Sequence, residues 1–199
     1  ELHKLLEDVP EENKEAVSKI ILKTQRLRRM IDNMVDMSEF SQGVIAFETS
    51  DLALVPVLDS IYEHLKTVAD EKEIVLEYTY DLQGLDHVCE DEYRLRQVFM
   101  NLLSNAITFS ERGKKVFCKI RMEEYQGDKA LMKAVISDEG IGMEETFMRH
   151  AYRPFEKEGR KNDVDGVGLG LPVVSNIIEQ KEGGKVSYFT QCFKIWDPI

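Results

Sequence analysis

The sequence predicts an α+β protein, a helical hairpin followed by a domain of mixed helices and strands. Three observations predict it. Residues 12–42 place apolar side chains at alternating steps of three and four. The character of the chain changes just after Gly43. From there on, segments that alternate like strands are interleaved with segments of helical period.

The elements follow in order. "ELHKLLED" reads as the last turns of an earlier helix. Pro10 and the acidic pair Glu11-Glu12 open the next helix, and Gly43 closes it. Its seam is Val17, Ile20, Thr24, Leu27, Ile31, Met34 and Ser38, widened by Ile21, Met30, Val35 and Met37. This is a heptad stripe, which packs on a copy of the same hairpin or serves as an intramolecular core helix. The expected domains are residues 1–43 and residues 47–199. In the second, "VIAFETSDL" is a short extended piece and "LVPVLDSIYEHLKTVADEKE" an amphipathic helix. "IVLEYTYDL" is a strand by alternation and β-branched content. "DEYRLRQVFMNLLSNAITFS" is a helix with Leu95, Val98, Phe99, Leu102, Leu103 and Ala106 on one side. "KKVFCKIRMEEY" and "ALMKAVISDEG" are strands, "GLPVVSNIIEQKEGG" a helix, and "KVSYFT" and "CFKIW" the last strands.

Composition narrows the function. The chain has 199 residues, 43% of them hydrophobic, enough for a real core. A formal net charge of −11 disfavours nucleic acid as a partner. No apolar run approaches the roughly 20 residues of a membrane span. Nothing at the start resembles a signal peptide, and the start without methionine reads as that of a fragment. Three cysteines without CxxC spacing argue against a disulfide framework or zinc site and fit a reducing cytosol.

Three stretches could carry chemistry. "GVGLGL" (166–171) lacks the Lys and Ser/Thr of a P-loop and the spacing of a dinucleotide fingerprint. It fits a mobile loop feeding a helix N-terminus, whose amides meet phosphate oxygens, or a plain glycine hinge. "SDEGIGM" (137–143) ends a strand in Asp138 with Gly140 and Gly142 behind it. A carboxylate at a strand end needs a donor, and the adenine amino group is one; guanine offers a carbonyl there and would be rejected. Alone, Asp138 also reads as an Asx turn. In "NLLSNA", Asn101 and Asn105 share one helix face beside an apolar stripe. They are a pair of capping or surface amides, or carbonyl ligands for a hard cation such as Mg²⁺.

Taken together, these stretches resemble the ATP-binding domain of sensor histidine kinases, in the superfamily shared with gyrase, mismatch-repair and heat-shock chaperone ATPases. "RLRQVFMNLLSNAITFS" resembles the Asn box, "DEGIGM" the first Gly box, "RPFEK" the Phe box and "GVGLGLPVVSNIIE" the second Gly box. "LRRMIDNMVDMSEFSQG" resembles the end of a dimerisation hairpin. The resemblance implies an α/β sandwich, a mixed sheet covered on one side by helices, with ATP held under a lid. It implies that Asp138 receives the adenine amino group, with Gly140 and Gly142 allowing the base to approach. Asn105 would ligate Mg²⁺, and Asn101 would support phosphate and metal. Phe155 would anchor the lid, and Gly166, Gly168, Gly170 and Leu171 would form its far end at the phosphates.

Hydrolytic members of the superfamily carry a glutamate where Asn101 stands. An amide cannot accept the proton of an attacking water, so transfer to a protein side chain is favoured. The resemblance therefore implies an ATP-dependent protein-histidine kinase. It would work as a homodimer through the hairpin and pass the phosphoryl group to a response-regulator receiver domain. Its place would be the cytoplasm, as the cytoplasmic part of a membrane-associated sensor, without membrane contact by this segment. The alternative is a non-catalytic nucleotide-binding dimer scaffold. Three departures bear on this choice. His3 lacks the H-E-x-x-x-P context of a phospho-acceptor, so the acceptor is expected upstream of Glu1, and His64, His87 and His150 are expected to be structural or surface residues. Thr108 stands where many members carry a phosphate-reaching lysine, which Lys114, Arg160 or Lys161 would have to replace. The last two strands lack the usual glycine-rich turn, so either a shortened edge or missing residues are expected there.

Overall fold

A computed structural model describes residues 10–42, 47–126, 129–157, 167–180, 185–189 and 192–198. Backbone contacts divide the chain into two compact units, Glu1–Val44 and Ile45–Ile199.

In the first unit, α1 (Glu11–Gln42) is one uninterrupted helix of 32 residues. Its local support is weak. Lys19 pairs with Glu15 one turn away, Arg28 Nε lies 3.9 Å from Asp32, and Thr24 donates to the Ile20 carbonyl at 2.9 Å. The two ion pairs contribute at most about 0.2–0.5 kcal/mol each, and the threonine back-bond adds no net support. The seam residues Ile20 (62%), Leu27 (57%), Ile31 (53%) and Met34 (53%) are all more than half exposed. The expected earlier helix, with His3, lies outside the described residues, as does Gly43.

The second unit is built on a five-stranded sheet of order β2-β4-β5-β7-β6. Its strands are β2 (Val75–Asp81), β4 (Lys115–Gln126), β5 (Lys129–Asp138), β6 (Lys185–Phe189) and β7 (Cys192–Pro198). β2 runs parallel to β4, and the other pairs are antiparallel, so the sheet is mixed. Alternation decides which face is covered. On β4, Val116, Cys118, Ile120 and Met122 are buried; on β5, Ala130, Met132, Ala134 and Ile136 are. The residues between them include Lys119 and Arg121, which are exposed. Helices α2 (Leu54–Glu71), α3 (Glu92–Phe109) and α5 (Gly170–Gln180) pack against this sheet. The α2 core face is Leu54, Val57, Leu58, Ile61, Leu65 and Ala69, at steps of three and four. Leu65 is 1% exposed, so Leu65→Ala would destabilise the unit by about 2–5 kcal/mol. The result is the expected sandwich, a mixed sheet with helices on one side.

Two elements were not legible in the sequence. β3 (His87–Glu90) pairs with β1 (Ser50–Ala53) in a separate two-stranded ribbon, with Leu52 opposite Val88 and both buried. A single-turn helix, α4 (Glu145–Met148), follows the D-E-G-I-G loop. β6 and β7 pair from Lys185 opposite Trp196 to Phe189 opposite Cys192, and the turn expected to be shortened lies outside the described residues. Among the described residues no helix is long and apolar enough to cross a membrane.

Candidate functional site

The site grows from α3. Its N-cap is Asp91, whose Oδ1 accepts from Arg94 N at 3.0 Å, while Oδ2 accepts from Glu48 N at 3.0 Å. One carboxylate thus starts the helix and ties down the segment before β1. Val98, Phe99, Leu102, Leu103, Ala106 and Ile107 are buried, and of the expected stripe only Leu95 is half-buried instead. Arg94 is also buried, which its charge hid from the sequence reading. Asn101 and Asn105 sit half-buried at the border of this stripe. Neither side-chain amide makes a hydrogen bond among the described residues, although polar atoms in such places normally find partners.

α5 meets them. A Cβ on Gly170, its first residue, would lie 3.3 Å from Asn101 Oδ1 and 3.8 Å from Asn105 Nδ2. The helix ladder begins with Val173 N donating to Leu169 O at 3.0 Å. The amides of Gly170 and Leu171 therefore precede the intrahelical bonds, and Pro172 has no N–H to leave unpaired. Leu169 is buried beneath this turn, and Leu171 is half-buried. An oxygen-rich anion is the natural complement of these donors.

β5 supplies the opposite end. Asp138 stands in register with fully buried Val116, so its carboxylate leaves the sheet on the helix-covered side. Burial pushes its pKa up, against the Gly140 N–H that donates to Oδ1 at 2.9 Å. Oδ2 has no partner among the described residues. The bond to Gly140 is the Asx turn of the plainer reading, and it leaves one carboxylate oxygen over. Gly140 is obligatory, because a Cβ would lie 2.6 Å from both Asp138 Oδ1 and Phe109 O. Gly142 has φ 64°, in the left-handed region. Ile141 N donates to Phe109 O at 3.2 Å, so the loop is seated on the end of α3. Phe109 and Ile141, both about two-fifths exposed, give this end an apolar rim. Neither was singled out from the sequence; their signal is a large apolar residue directly flanking each motif.

The Phe box joins the second Gly box through the backbone. Phe155 N donates to Gly168 O at 3.0 Å. Gly168 has φ 73°, and a Cβ there would run into the Glu156 carbonyl. Phe155, expected to anchor the lid, is an exposed residue, and its main chain, held at φ 66°, makes this link. Gly166, Arg160 and Lys161 lie outside the described residues. Thr108 is exposed, and Lys114 is exposed in the turn before β4.

The histidines take other parts. His87 Nδ1 lies 3.1 Å from Asp51 on the ribbon, and His150 Nδ1 lies 3.1 Å from the Thr146 carbonyl. His64 is exposed on α2. Among the described residues no three His, Cys, Asp or Glu side chains cluster to hold a metal. A hard cation at this site would instead take an amide oxygen plus oxygens of its ligand, which suits Asn105, whose amide has no partner among the described residues.

Comparison with known proteins gives the family and the fold. The family described as "Histidine kinase-, DNA gyrase B-, and HSP90-like ATPase" matches residues 90–195. The autoinducer 2 sensor kinase/phosphatase LuxQ of Vibrio parahaemolyticus is 26% identical over 176 residues, 87% of this chain and 20% of LuxQ. The circadian input-output histidine kinase CikA of Synechococcus elongatus is 28% identical over 196 residues, 94% of this chain and 25% of CikA. The chain thus spans a fifth to a quarter of the length of these relatives. Among solved structures, the Acinetobacter baumannii histidine kinase AdeS superposes with a TM-score of 0.68 at 22% identity, covering 99% of this chain and 90% of that one. ShkA, solved full-length with AMPPNP, gives 0.69 at 21% identity, covering 95% of this chain and 39% of that one. With the family matched over more than half of its residues and the fold shared, the chain belongs to the histidine kinase-, DNA gyrase B- and HSP90-like ATPases.

Proposed function

We propose that the second unit binds Mg-ATP and serves as the catalytic part of a sensor histidine kinase, transferring the γ-phosphoryl group to a histidine for relay to a response regulator. The observation that carries this reading is the meeting of Gly170 with Asn101 and Asn105. It brings the first amides of α5 and two side-chain amides, none with a partner among the described residues, to one place where a polyphosphate could meet them. Asp138, at the end of β5, offers its unpaired oxygen to the adenine amino group, and Phe109 and Ile141 flank the base.

Asn105 and the ligand's own oxygens would hold Mg²⁺, which would neutralise charge on the phosphates. Asn101 positions and does not deprotonate, so the site favours a protein nucleophile over water. In the transfer, a ring nitrogen of the acceptor bonds to the γ-phosphorus as the bond to the β-γ bridging oxygen breaks, and ADP leaves. His3, His64, His87 and His150 all lack the H-E-x-x-x-P context of a phospho-acceptor, so we place the acceptor upstream of Glu1. The uncovered seam of α1 supports a homodimer, with the first unit as its dimerisation element.

The test is calorimetric. Mg-ATP is expected to bind saturably to this chain, and far more weakly when EDTA removes the cation. A chain extended upstream is then expected to take label from γ-³²P-ATP onto histidine. Absence of ATP binding would sink the nucleotide reading. Binding without transfer in the extended chain would favour the scaffold, and steady phosphate release without labelling would favour a hydrolytic ATPase.

A further inference from the structure

A helix leaves its last four carbonyls without intrahelical partners. In α3 these belong to Ala106, Ile107, Thr108 and Phe109, and all four are satisfied. Ser110 Oγ donates to Ala106 O at 2.8 Å. Lys72 Nζ donates to Ile107 O at 2.8 Å and also to Thr108 O. Ile141 N, from the Asp138 loop, donates to Phe109 O. One distant ammonium thus fills the middle two positions, where a cation is also favoured by the helix dipole.

Lys72 is itself held rigidly. It is the C-cap of α2, at φ −92° and ψ 0°. Glu73 follows in the left-handed region at φ 59°, its N–H donating to Asp70 O at 3.0 Å. Ile74 N donates to Ala69 O at 2.8 Å. These are the two bonds of a Schellman motif, closed by the buried pair Ile74 and Ala69. The corner is further pinned by Gly113 N donating to Glu73 O at 2.9 Å and Val75 N to Lys114 O at 3.0 Å.

We propose that Lys72 is a positioning residue for the nucleotide site: by holding the last turn of α3 it fixes Phe109 O, on which the Asp138–Ile141 loop is seated. The inference rests on the nucleotide reading above. Gly140 packs so closely on Phe109 O that a shift of this turn must displace the loop and the orientation of Asp138. Asn105 lies one turn back on the same helix. Lys72 acts through backbone and does not touch the nucleotide.

The test compares Lys72→Met and Lys72→Arg with the parent chain. Lys72→Met is expected to weaken ATP, ADP and adenosine by a common factor of about ten, the lower end of what a lost Asp138–adenine contact would cost. A common factor marks an effect at the base end. Lys72→Arg, which keeps the charge and several donors, is expected to bind like the parent. In the absence of nucleotide, the Ile141 amide is expected to exchange its hydrogen faster in Lys72→Met at a temperature where the variant is fully folded. Should Lys72→Met fail to fold, Lys72→Gln takes its place, retaining one neutral donor. Unchanged affinity with unchanged Ile141 exchange would overturn the proposal, as would a loss that grows with phosphate number. If the parent chain itself binds no ATP, the nucleotide reading fails. The exchange measurement then still decides whether Lys72 holds the loop.

Discussion

Replacing Asp138 by asparagine should move ligand recognition and stability in opposite directions. The side chain keeps its size, and the amide oxygen can still accept the Gly140 N–H that Oδ1 accepts at 2.9 Å. The other amide atom is then an NH₂ donor, facing the amino group of adenine. A hydrogen bond to a charged acceptor contributes about 1.5–3 kcal/mol, so the ATP dissociation constant should rise about 10- to 150-fold. Guanine presents a carbonyl at the same edge, so GTP should bind the variant more tightly than it binds the parent. Stability should change the other way. Burial raises the Asp138 pKa in the folded protein above its unfolded value. The folded state then holds the proton more tightly, and its stability falls as pH rises through the folded pKa. The variant lacks this loss. Without nucleotide, Asp138→Asn should therefore be more stable than the parent at neutral pH, and the gap should close as pH falls below the carboxylate range. Titration calorimetry with ATP and GTP, and urea unfolding across that pH range, measure both arms. A variant less stable at neutral pH, or a gap indifferent to pH, would refute the burial argument. Undiminished ATP affinity would refute the assignment of the adenine contact.

Other expectations follow from single contacts. Gly140→Ala forces a methyl against Phe109 O and should destabilise the unit by about 1–3 kcal/mol in urea, with weakened ATP binding. Gly170→Ala, whose methyl meets Asn101 Oδ1 at 3.3 Å, should cost less stability while still reducing ATP affinity by calorimetry. Glu73→Gly relieves a left-handed residue at the end of α2 and should raise unfolding free energy by about 0.5–1 kcal/mol, against a small loss from the exposed Arg112–Glu73 pair. Leu27→Glu changes a residue already 57% exposed in the single chain. It should leave helicity by circular dichroism intact and shift sedimentation from dimer to monomer; an unchanged sedimentation coefficient would remove the seam from the interface.

Legibility tracked how local each signal was. The helix carrying Asn101 and Asn105 was readable because its apolar side chains recur with helical period. Asp138 was readable because a strand of alternating pattern runs directly into D-x-G-x-G. β3 was missed because a four-residue strand has no room to show a period, and its partner β1 lies far back in the chain. Lys72 was missed for a different reason. It bonds main-chain carbonyls 35 and 36 residues away, and a carbonyl carries no residue identity for the sequence to betray. Glu73 hid a helix end, since glutamate is not the residue a left-handed C′ position calls for. The packing of Gly170 on the two amides joins segments more than 60 residues apart and exists only once α3 and α5 are laid side by side.

The strand order bears on biosynthesis. β7 follows β6 in the chain yet lies between β5 and β6 in the sheet. While the polypeptide is still emerging from the ribosome, β5 keeps an open edge and β6 has no sheet partner until residues 192–198 are released. α5, which carries Gly170, can dock on the earlier α3 but lacks its contacts with both late strands until then. A domain emerging at about 5–20 residues per second therefore holds an unfinished sheet until this strand arrives. Translation stalled or terminated before β7 would leave a sticky β5 edge for chaperones and proteases to recognise.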